Sequence, residues 1–580
     1  MNNFYTDNKN QQILIALLKA HNIRYVVASP GGTNPALLVS FQYDGFFEMF
    51  SCVDERSAAY MACGIAAQTG EPVILCCTGA TASRNYFPAL TEAFYRKLPI
   101  ITITCSRPSS YIGQLFPQVT DRNSYNKDTF VCGELLQVIK DADDFSNCEV
   151  KINRAILALK RNGGGPVHLN VECITQSCNT EQLPSVHITR YVNYTDSFPS
   201  LPCGRIGIFI GSHNDMSAKL QQAIEQFCRN HNAVVFSDHT SGYYGDFRIQ
   251  YALIGSQSVR HIPLNEVDLL IHIGEISGDY PSMETLKGKS VWRVSKDGEL
   301  RVRFGFLDYL FHMDEFTFFN TYKEINIQKN EYYNACKDMY DTLIDAIPEL
   351  PLCHIYAARK LAPIIPDGSI LHFAILNALR SWNFFQIKGV NVRTNCNVGG
   401  FGIDGCTSSL LGASFVEPQK TCFLFTGDLA FFYDLNSLGN RHIGPNVRIL
   451  LMNDGKGAEF RHFQWPEYGQ NLDMFVAGSG HFGHQSKLLV RNLAENLGFE
   501  YISATSEEEF DAQIERFVSA KKQTKPILFE VFSTTENQSI AWKSLTALAK
   551  ESIQESFKCK AKNLVGTKLY SLASKIKNKS

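Results

Sequence analysis

Two apolar runs of this sequence end in polar residues, and their spacing points to a single site. TCFLFT leads into Gly427 and Asp428, and VRILLM leads into Asn453 and Asp454. FYDLNSLGNRH between them is predicted to be a helix, so the two runs form a strand–helix–strand unit. A right-handed crossover makes such strands parallel, which brings their C-terminal ends to the edge of the sheet where ligands bind.

The residue types at these strand ends suit a magnesium ion and a diphosphate. Carboxylate, amide and backbone carbonyl oxygens are hard ligands, and Mg²⁺ commonly completes its octahedron with water and substrate phosphates. The helix N-terminus after Asp428 would offer N–H groups and a positive dipole end to a diphosphate. The alternative is that Asp428 only caps this helix. The stretch by itself leaves both interpretations open.

Composition describes the kind of protein that must position these residues. A chain of 580 residues needs two to four domains, and 44% hydrophobic with 19% charged residues predicts a globular protein. A net charge of −2 gives no reason to expect a nucleic-acid partner. We find no signal peptide and no apolar run of ~18–20 residues that would predict an integral membrane segment. The 17 scattered cysteines predict packed, reduced thiols in a cytoplasmic protein.

The alternation of short apolar runs with helical patterns predicts an α/β protein with three doubly wound parallel-sheet domains. We place these domains at residues 1–184, 190–345 and 350–548, followed by a basic C-terminal tail at 555–580. The first and third domains alternate in a similar way, which suggests duplication. In the second domain, FIGSHNDM lacks a complete GxGxxG, so it is weak support for a dinucleotide.

The C-terminal tail is unusually basic. Residues Lys558–Ser580 contain seven lysines and no acid. The pattern is typical of a solvated or frayed tail. The alternative is a surface for an anionic membrane or partner.

The opening stretch resembles the diphosphate motif of thiamine-diphosphate enzymes, which have Gly-Asp, a spacer of similar length and then Asn. Leu429 stands where many members have Gly, and Met452 stands where the first of two Asn residues often stands. The resemblance implies that Asp428, Asn453 and the carbonyl of Gly455 bind Mg²⁺. It also implies that Gly427 and Leu429 contact the cofactor.

A second segment resembles the pyrimidine half-site of the same superfamily. SPGG is followed by CVDERSAAYMACGIA, in which Glu55 matches the glutamate of that half-site. The alternative is an ordinary surface acid on a helix. The helix carries five small or apolar residues after Glu55, so we expect it to be buried and its first carboxyl to need a partner. Those residues are Ala58, Ala59, Met61, Ala62 and Ile65.

The resemblance assigns roles to further residues. Thiamine diphosphate reacts through a carbanion at its thiazolium ring, and Glu55 is implied to hydrogen-bond a pyrimidine ring nitrogen. Ile403 in GGFGIDG is implied to support the bent cofactor, the alternative being a plain core residue. Gly31, Thr78 and Asn85 are implied to contact the cofactor as well.

Within the superfamily, the chain is most similar to the succinyl-enolpyruvyl-hydroxycyclohexene-carboxylate synthases of menaquinone biosynthesis. The shared stretches include TGATASRNYFPALTEA, SRP, GFGIDG and GDLAFFYDLNSL, and the likeness covers about residues 10 to 545. It implies pyrimidine-binding, central and diphosphate-binding domains in that order. It also implies a homodimer or homotetramer with active sites at the subunit interface.

Three places depart from that subgroup. Gly32 and Thr33 replace a Ser-Arg pair, Val398 replaces an arginine, and Asp279 with Tyr280 replaces a basic pair. Each lost charge-assisted contact costs roughly 1.5–3 kcal/mol. We therefore expect a different donor or acceptor substrate.

Two further residues are candidates for catalysis. Glu459 lies six residues after Asn453, an offset at which simple 2-oxoacid decarboxylases of the superfamily often have a catalytic acid. A helix-start acid is the alternative. Arg461 and His462 could hold a substrate carboxylate or phosphonate, and Gln118 resembles the active-site glutamine region of synthase-type members.

Together these features predict an enzyme that uses thiamine diphosphate and Mg²⁺ to decarboxylate a small-molecule 2-oxoacid. The acyl-anion equivalent would be transferred to an acceptor or protonated to an aldehyde. One alternative is a flavin-containing, acetolactate-synthase-like enzyme. Another is a non-catalytic relative, although the presence of Glu55, Asp428 and Asn453 argues against it.

Overall fold

The computed structural model describes residues 4–122, 125–213, 216–259, 261–322, 330–457, 486–521 and 523–549. Three sheets form the framework, and their strand pairs run parallel. The first has six strands in the order β2-β1-β3-β4-β6-β5. The second has seven in the order β10-β9-β8-β11-β12-β13-β7, and the third has six in the order β15-β14-β16-β17-β19-β18. The predicted fold class is therefore confirmed.

The strands are short and mostly buried. Their bounds are β1 Tyr25–Ala28, β2 Glu48–Ser51, β3 Val73–Thr78, β4 Ile100–Ser106, β5 Cys132–Leu136, β6 Val167–Glu172, β7 Arg190–Asn193, β8 Ile206–Ile210, β9 Ala233–Ser237, β10 Arg248–Ile249, β11 Glu266–Ile273, β12 Lys287–Ser295, β13 Tyr309–His312, β14 Ile370–Phe373, β15 Arg393–Cys396, β16 Cys422–Gly427, β17 Val447–Asn453, β18 Glu500–Ala504 and β19 Ile527–Phe532.

Helices connect most of these strands, as parallel pairing requires. Their bounds are α1 Lys9–Ala20, α2 Pro35–Tyr43, α3 Glu55–Thr69, α4 Thr81–Asn85, α5 Phe87–Tyr95, α6 Ala142–Ala158, α7 Ala218–His231, α8 Ala252–Gly255, α9 Tyr280–Thr285, α10 Glu315–Thr321, α11 Glu331–Asp345, α12 His354–Leu361, α13 Asn377–Trp382, α14 Cys406–Val416, α15 Asp428–Tyr433, α16 Leu489–Asn496 and α17 Glu507–Val518. Residues 535–549 are helical too.

The chain separates into two compact units. Unit 1 contains Met1–Ser200 and Ser290–Phe318, and unit 2 contains Leu201–Lys289 and Phe319–Ser580. The first sheet lies in unit 1 and the third in unit 2. Their six strands follow the same relative order, which supports the duplication inferred from the sequence.

The continuous apolar runs form the central strands, as fully buried parallel strands should. In β3, Cys76 and Cys77 are fully buried, in keeping with their place in PVILCCTG. Each cysteine of the described residues is a free thiol.

One predicted element is wrong. FYDLNSLGNRH was expected to be a helix, but α15 begins at Asp428 and ends at Tyr433. A 3₁₀ turn at Leu435–Gly439 and a loop follow. Asp434, the residue after α15, binds to α14 instead of continuing the helix. Its carboxylate accepts hydrogen bonds from the backbone N–H and the hydroxyl of Ser408 at 2.5 and 2.6 Å.

Candidate active site

Strand register places the polar strand ends of unit 2 side by side. Gly427 in β16 pairs with Met452 in β17. The next residues after these two, Asp428 and Asn453, therefore lie side by side at the same edge of the sheet. Asp428 is 3% exposed and Asn453 is fully buried. The structure therefore brings together the two residues that lie 25 positions apart in the sequence.

Asp428 links the ends of both strands. Its Oδ1 accepts the Leu429 N–H at 2.7 Å, and its Oδ2 accepts the Gly455 N–H at 2.6 Å. Gly455 has φ +76°, a left-handed conformation that glycine adopts at little cost. Asp428 thus stabilises the first turn of α15 and also fixes the loop after β17, so capping alone does not describe its role.

Asn453 is oriented by an acid that the sequence reasoning missed. Its Nδ2 donates to Glu530 Oε1 at 2.7 Å, and Tyr501 Oη donates to Glu530 Oε2 at 2.8 Å. Burial raises the pKa of Glu530 above its ordinary value. Because the amide nitrogen is turned to Glu530, the amide oxygen is the atom that a cation would use. An acid in the apolar strand PILFEVF was the available signal.

A cavity of about 230 Å³ opens beside these residues. Four of the predicted cofactor residues line it, namely Ile403, Gly427, Asp428 and Leu429. Ile403 is partly buried against the core of this sheet, so it combines a packing role with a place on the cavity wall. Asp454, the second polar residue after VRILLM, also borders the cavity, as do His354, Leu376 and Lys456, which were not predicted.

The electrostatics of this cavity favour a bound cation. Burial, and then the nearby Asp428 carboxylate, raise the pKa of Asp454 to about 8. Burial lowers the pKa of His354 to about 4, so this imidazole is neutral at pH 7. The carboxyl groups of Asp428 and Asp454 lie close together away from solvent, and a divalent ion bound between them would reduce their repulsion.

The donor set fits Mg²⁺ rather than a softer metal. Asp428, Asn453 and the Gly455 carbonyl would supply oxygen ligands, and the cavity leaves room for a diphosphate to supply others. Within the described ranges, no group of three or more His, Cys, Asp or Glu side chains is placed to hold a metal. That result is consistent with a site built from one carboxylate, one amide and one carbonyl.

In unit 1, two predicted cofactor residues meet directly. A Cβ at Gly31 would overlap the Thr78 side chain, so only glycine permits this approach of the β1 turn to the end of β3. The Gly31 N–H donates to Asn34 Oδ1 at 2.9 Å, which fixes the turn. Gly31 and Thr78 are therefore neighbours, although 47 positions separate them in the sequence.

Glu55 is the first residue of α3 and is half-buried. Asp54 caps the helix by accepting the Arg56 N–H at 3.2 Å and the Ser57 hydroxyl at 2.7 Å. Glu55 contributes, after burial and other nearby groups, to the raised pKa of the Cys77 thiol, which places its carboxylate near the end of β3. Since Asp54 makes the capping hydrogen bonds, the Glu55 carboxylate is not used for capping.

The expected burial of α3 is correct for one face only. Ala58, Ala59 and Ala62 are buried, whereas Met61 is 52% exposed. The prediction was wrong for Met61 because a helix presents successive residues to different sides, and the apolar residues here spread over more than one face. Tyr60, the neighbour of Met61, is 47% exposed.

The loop after β3 is strained. Ala80 has φ 59° and ψ −132°, a conformation that L-residues rarely adopt. It leads into α4, which ends at the exposed Asn85. Gln118 is also exposed and has φ 63°. Strained backbone of this kind clusters at functional sites.

Two of the three departures from the synthase pattern meet in unit 2. A Cβ at Gly278 would lie 3.6 Å from Val398 Cγ1, which puts Val398 beside the loop that carries Asp279 and Tyr280. The rings of Tyr280 and Phe401 pack at 5.8 Å. Apolar and aromatic groups thus stand together at the positions where the synthase pattern has basic residues.

Asp279 adds a buried acid to that region. Its Oδ1 accepts the Ser282 N–H at 3.1 Å, while Oδ2 has no hydrogen-bond partner. Burial is the main cause that raises its pKa to about 7. A carboxyl here would repel the anionic groups that a basic pair attracts.

Several predicted features lie outside the described residues. They are Glu459, Arg461 and His462 after the strand β17, and the basic tail Lys558–Ser580. Their proposed roles rest on the sequence alone.

Comparison with known proteins gives the class of the two cofactor half-sites. Residues 8–125 match the model described as the thiamine pyrophosphate enzyme, N-terminal TPP binding domain. Residues 383–531 match the corresponding C-terminal TPP binding domain. Within the described ranges, none of the helices has the length and apolar character needed to cross a membrane.

Curated relatives span nearly the whole chain. It is 30% identical over 565 residues to the 2-succinyl-5-enolpyruvyl-6-hydroxy-3-cyclohexene-1-carboxylate synthase of Bacteroides fragilis, covering 91% of this chain and 97% of the relative. The protein of that name from Bacteroides thetaiotaomicron is 29% identical, covering 91% and 96%. The one from Flavobacterium psychrophilum is 28% identical, covering 90% and 96%. The chain belongs to the thiamine-diphosphate-dependent enzyme family.

Proposed function

We propose that this protein uses thiamine diphosphate and Mg²⁺ to decarboxylate a 2-oxoacid and to transfer the acyl-anion equivalent to an acceptor, or protonate it to an aldehyde. The observation that carries the proposal is the cavity of unit 2. Asp428 bridges the ends of β16 and β17 there, and Ile403 lines the same space. The matches to both cofactor-binding domains support the choice of cofactor.

Each half-site has a separate task in this proposal. Asp428, Asn453 and the Gly455 carbonyl would hold Mg²⁺, and Gly427 and Leu429 would contact the diphosphate. Glu55 would hydrogen-bond the pyrimidine, and Gly31, Thr78 and Asn85 would contact it. Glu459 and Gln118 are proposed to act on the substrate, with Glu459 as proton donor. Bound thiamine diphosphate supplies the electron sink for decarboxylation.

The proposed substrate differs from that of the curated relatives. Val398, Tyr280 and Phe401 form an apolar and aromatic region, and the buried Asp279 adds an acid beside it. Such surroundings favour a substrate with fewer carboxylates at this position than a site with basic residues would accept.

The decisive experiment is to incubate the purified protein with Mg²⁺, thiamine diphosphate and a panel of 2-oxoacids. We expect CO₂ release with at least one of them, together with an aldehyde or a ligated product. Tight cofactor binding without any turnover would refute the decarboxylase proposal and favour the non-catalytic alternative. A yellow protein with a flavin spectrum would favour the acetolactate-synthase-like alternative.

Glu459 is tested by replacing it with Gln. We expect product formation to slow by about 10²–10⁴-fold while cofactor affinity stays the same, since a proton donor acts on the reacting groups. A loss of cofactor affinity alone would remove Glu459 from the catalytic assignment.

We also propose that the active unit is at least a homodimer. Around Glu55, four large apolar side chains are exposed in the single chain: Phe50 by 41%, Val53 by 77%, Tyr60 by 47% and Met61 by 52%. A patch of this kind is typical of a protein interface, and a second copy covering it would enclose the half-buried Glu55.

Light scattering tests this interface. Met61→Glu should shift the protein toward monomer and reduce cofactor-dependent activity together. Tyr194→Lys is the matched control, because Tyr194 is 75% exposed in the same unit and lies just after β7 rather than in β2 or α3. An unchanged mass for Met61→Glu would contradict the proposed interface.

A further inference from the structure

Unit 1 contains a small cavity that the proposed cofactor roles do not use. Its volume is about 40 Å³, and its inner wall includes Thr102, Thr104, Arg122 and His168. Ser83 of α4 also lines it. The cavity therefore lies behind the loop between β3 and α4, which carries the predicted cofactor residues at its two ends.

Arg122 is the unusual residue of this cavity. Arg122 is only 8% exposed to solvent. One Nη2 hydrogen donates to Asn170 Oδ1, but Nε and Nη1 have no hydrogen-bond partner. Among the described residues, no carboxylate forms an ion pair with this guanidinium. A buried positive charge is thus left with two unpaired donor groups.

The groups near Arg122 offset its charge only in part. Burial raises the pKa of the Cys77 and Cys173 thiols, and a hydrogen bond with Cys76, followed by burial, raises that of Cys105, which keeps all three uncharged at pH 7. Burial lowers the pKa of Arg122 and the nearby Glu172 carboxylate raises it, but Glu172 directs its Oε1 to the Ser109 N–H at 2.7 Å and the Ser109 hydroxyl at 2.6 Å. Asp121 borders the cavity but is exposed to solvent.

A second donor points to the same kind of ligand. Thr102 Oγ1 is buried without a hydrogen-bond partner. Thr104 Oγ1 and His168 Nε2 satisfy each other at 2.7 Å, and burial lowers the pKa of His168 to about 3, so His168 is uncharged at pH 7. Arg84 also borders the cavity, but it is exposed to solvent. On the buried wall, one guanidinium and one hydroxyl are therefore left to bind a single negative charge.

We propose that this cavity binds a small monovalent anion of carboxylate size, held by Arg122 and Thr102. A buried charge without a counter-ion is strongly unfavourable, so native proteins almost always provide one. A cavity of about 40 Å³ admits one to a few heavy atoms, since a single water needs roughly 10–15 Å³. A carboxylate matches the fork of a guanidinium.

The anion would act on the loop that borders the cofactor residues. A Cβ at Gly79 would overlap Arg122 Nη1, so the guanidinium lies directly against this backbone. Gly79 and the strained Ala80 follow Thr78, and Ser83 precedes Asn85 by two positions. Filling the cavity would hold this loop in one conformation, and binding of anion and cofactor would then favour each other.

The first test is thermal unfolding of the full-length protein in a chloride-free buffer at constant ionic strength. Sodium formate should raise the midpoint saturably by about 2–4 °C. Arg122→Gln should abolish the shift. Arg96→Gln is the matched control, because this exposed arginine pairs with Glu92 on the surface of the same unit, and it should keep the shift. No formate-specific shift in the wild type, or an equal shift in Arg122→Gln, would overturn the proposal.

Two milder variants decide the matter if Arg122→Gln does not fold. Thr102→Val preserves the volume of the side chain and should weaken formate binding about tenfold. Arg122→Lys keeps the charge but loses the fork, and it should also bind about tenfold more weakly. Wild-type affinity in both variants would contradict the assigned site.

The anion has two candidate sources, and kinetics separates them. If it is the carboxylate of the substrate, formate will raise KM and leave kcat unchanged. If it is a separate ion, formate will tighten cofactor binding without competing with the substrate. The first arm rests on the proposed function, whereas the thermal shift does not. An enzyme inactive toward every 2-oxoacid would still show the shift.

Discussion

The first and third sheets share one strand order but end in different chemistry. In unit 2, Asp428 directly follows β16 and Asn453 ends β17. Both are buried, and each has its own hydrogen bonds: Asp428 accepts from the N–H groups of Leu429 and Gly455, and Asn453 donates to Glu530. In unit 1, Gly31 in the turn after β1 packs against Thr78 at the end of β3, and neither residue carries a charge. One strand order thus carries buried, hydrogen-bonded polar side chains in unit 2 and a close glycine–threonine contact in unit 1, and the residues at or just after the strand ends decide which.

The two regions also differ in how their charges are supported. Asp428 is fixed by backbone donors, and Asn453 is fixed by the buried Glu530. Glu55 begins α3, which Asp54 caps, yet within the described residues no hydrogen bond or ion pair involves the Glu55 carboxylate. The residues of unit 2 are therefore preorganised by their neighbours, whereas the Glu55 carboxylate of unit 1 is not.

The largest effect on metal binding is expected from Asp428→Asn. This change removes the only proposed carboxylate ligand, and metal affinity should fall by more than about 100-fold, because changes to outer-shell partners alone cost 10–100-fold. Calorimetric titration with Mg²⁺ and thiamine diphosphate measures it. Glu495→Gln, an exposed acid on α16, is the control. Unaltered affinity in Asp428→Asn would remove the cation site from unit 2.

Glu55→Gln should affect turnover rather than cofactor affinity. We expect kcat to fall by about 10²–10⁴-fold, since a neutral amide cannot replace a carboxylate in proton transfer. Glu48→Gln on the exposed strand β2 serves as the control. Turnover equal to wild type would show that the two half-sites do not divide the work as proposed.

Glu530→Gln tests the support of the cation site. The introduced glutamine amide lacks the negative charge with which Glu530 accepts the hydrogen bond from Asn453. Metal affinity should therefore fall by about 10–100-fold. Tyr501→Phe removes only the outer hydrogen bond and should cost less. If both variants bind Mg²⁺ like wild type, Glu530 has a packing role only.

The smallest effect concerns pH, and the two units should respond with opposite sign. Burial lowers the pKa of His168 in unit 1 to about 3, so its stabilising contribution is complete above about 6.5 and is lost as the pH falls. Burial raises the pKa of Asp279 in unit 2 to about 7, so its contribution is complete below about 3.9 and is lost as the pH rises.

Chemical denaturation of His168→Gln and Asp279→Asn between pH 4 and 8 checks this expectation. The stability deficit of His168→Gln relative to wild type should shrink on acidification by up to ~1.4 kcal/mol per pH unit. The deficit of Asp279→Asn should shrink on alkalinisation at a similar rate. His187→Gln, at an exposed histidine, provides the baseline. Parallel plots of the free energy of unfolding against pH for all three variants would show that His168 and Asp279 have the same pKa in the folded and unfolded states.

Much of the fold could be predicted from the sequence, because a buried parallel strand leaves a continuous apolar run. VILCCT, IITITCS and VRILLMN appear as strands where the pattern places them. The helix expected over FYDLNSLGNRH failed because Asp434 bonds to Ser408 in another element, a contact that local propensity does not contain. The expectation for Met61 failed for the related reason that composition does not say which face of a helix is covered.

The sequence by itself determined the cofactor class, since Gly427, Asp428, Asn453 and Glu55 carry recognisable types at recognisable spacing. Only the tertiary structure decided how these residues are supported. Glu530 accepts a hydrogen bond from Asn453, 77 positions away. Arg122 contacts Asn170 and Gly79 and lines a small cavity, and no local sequence pattern predicts these contacts. The physical reason is that a motif records which atoms contact a ligand, whereas burial and the pairing of charges depend on every strand that packs around them.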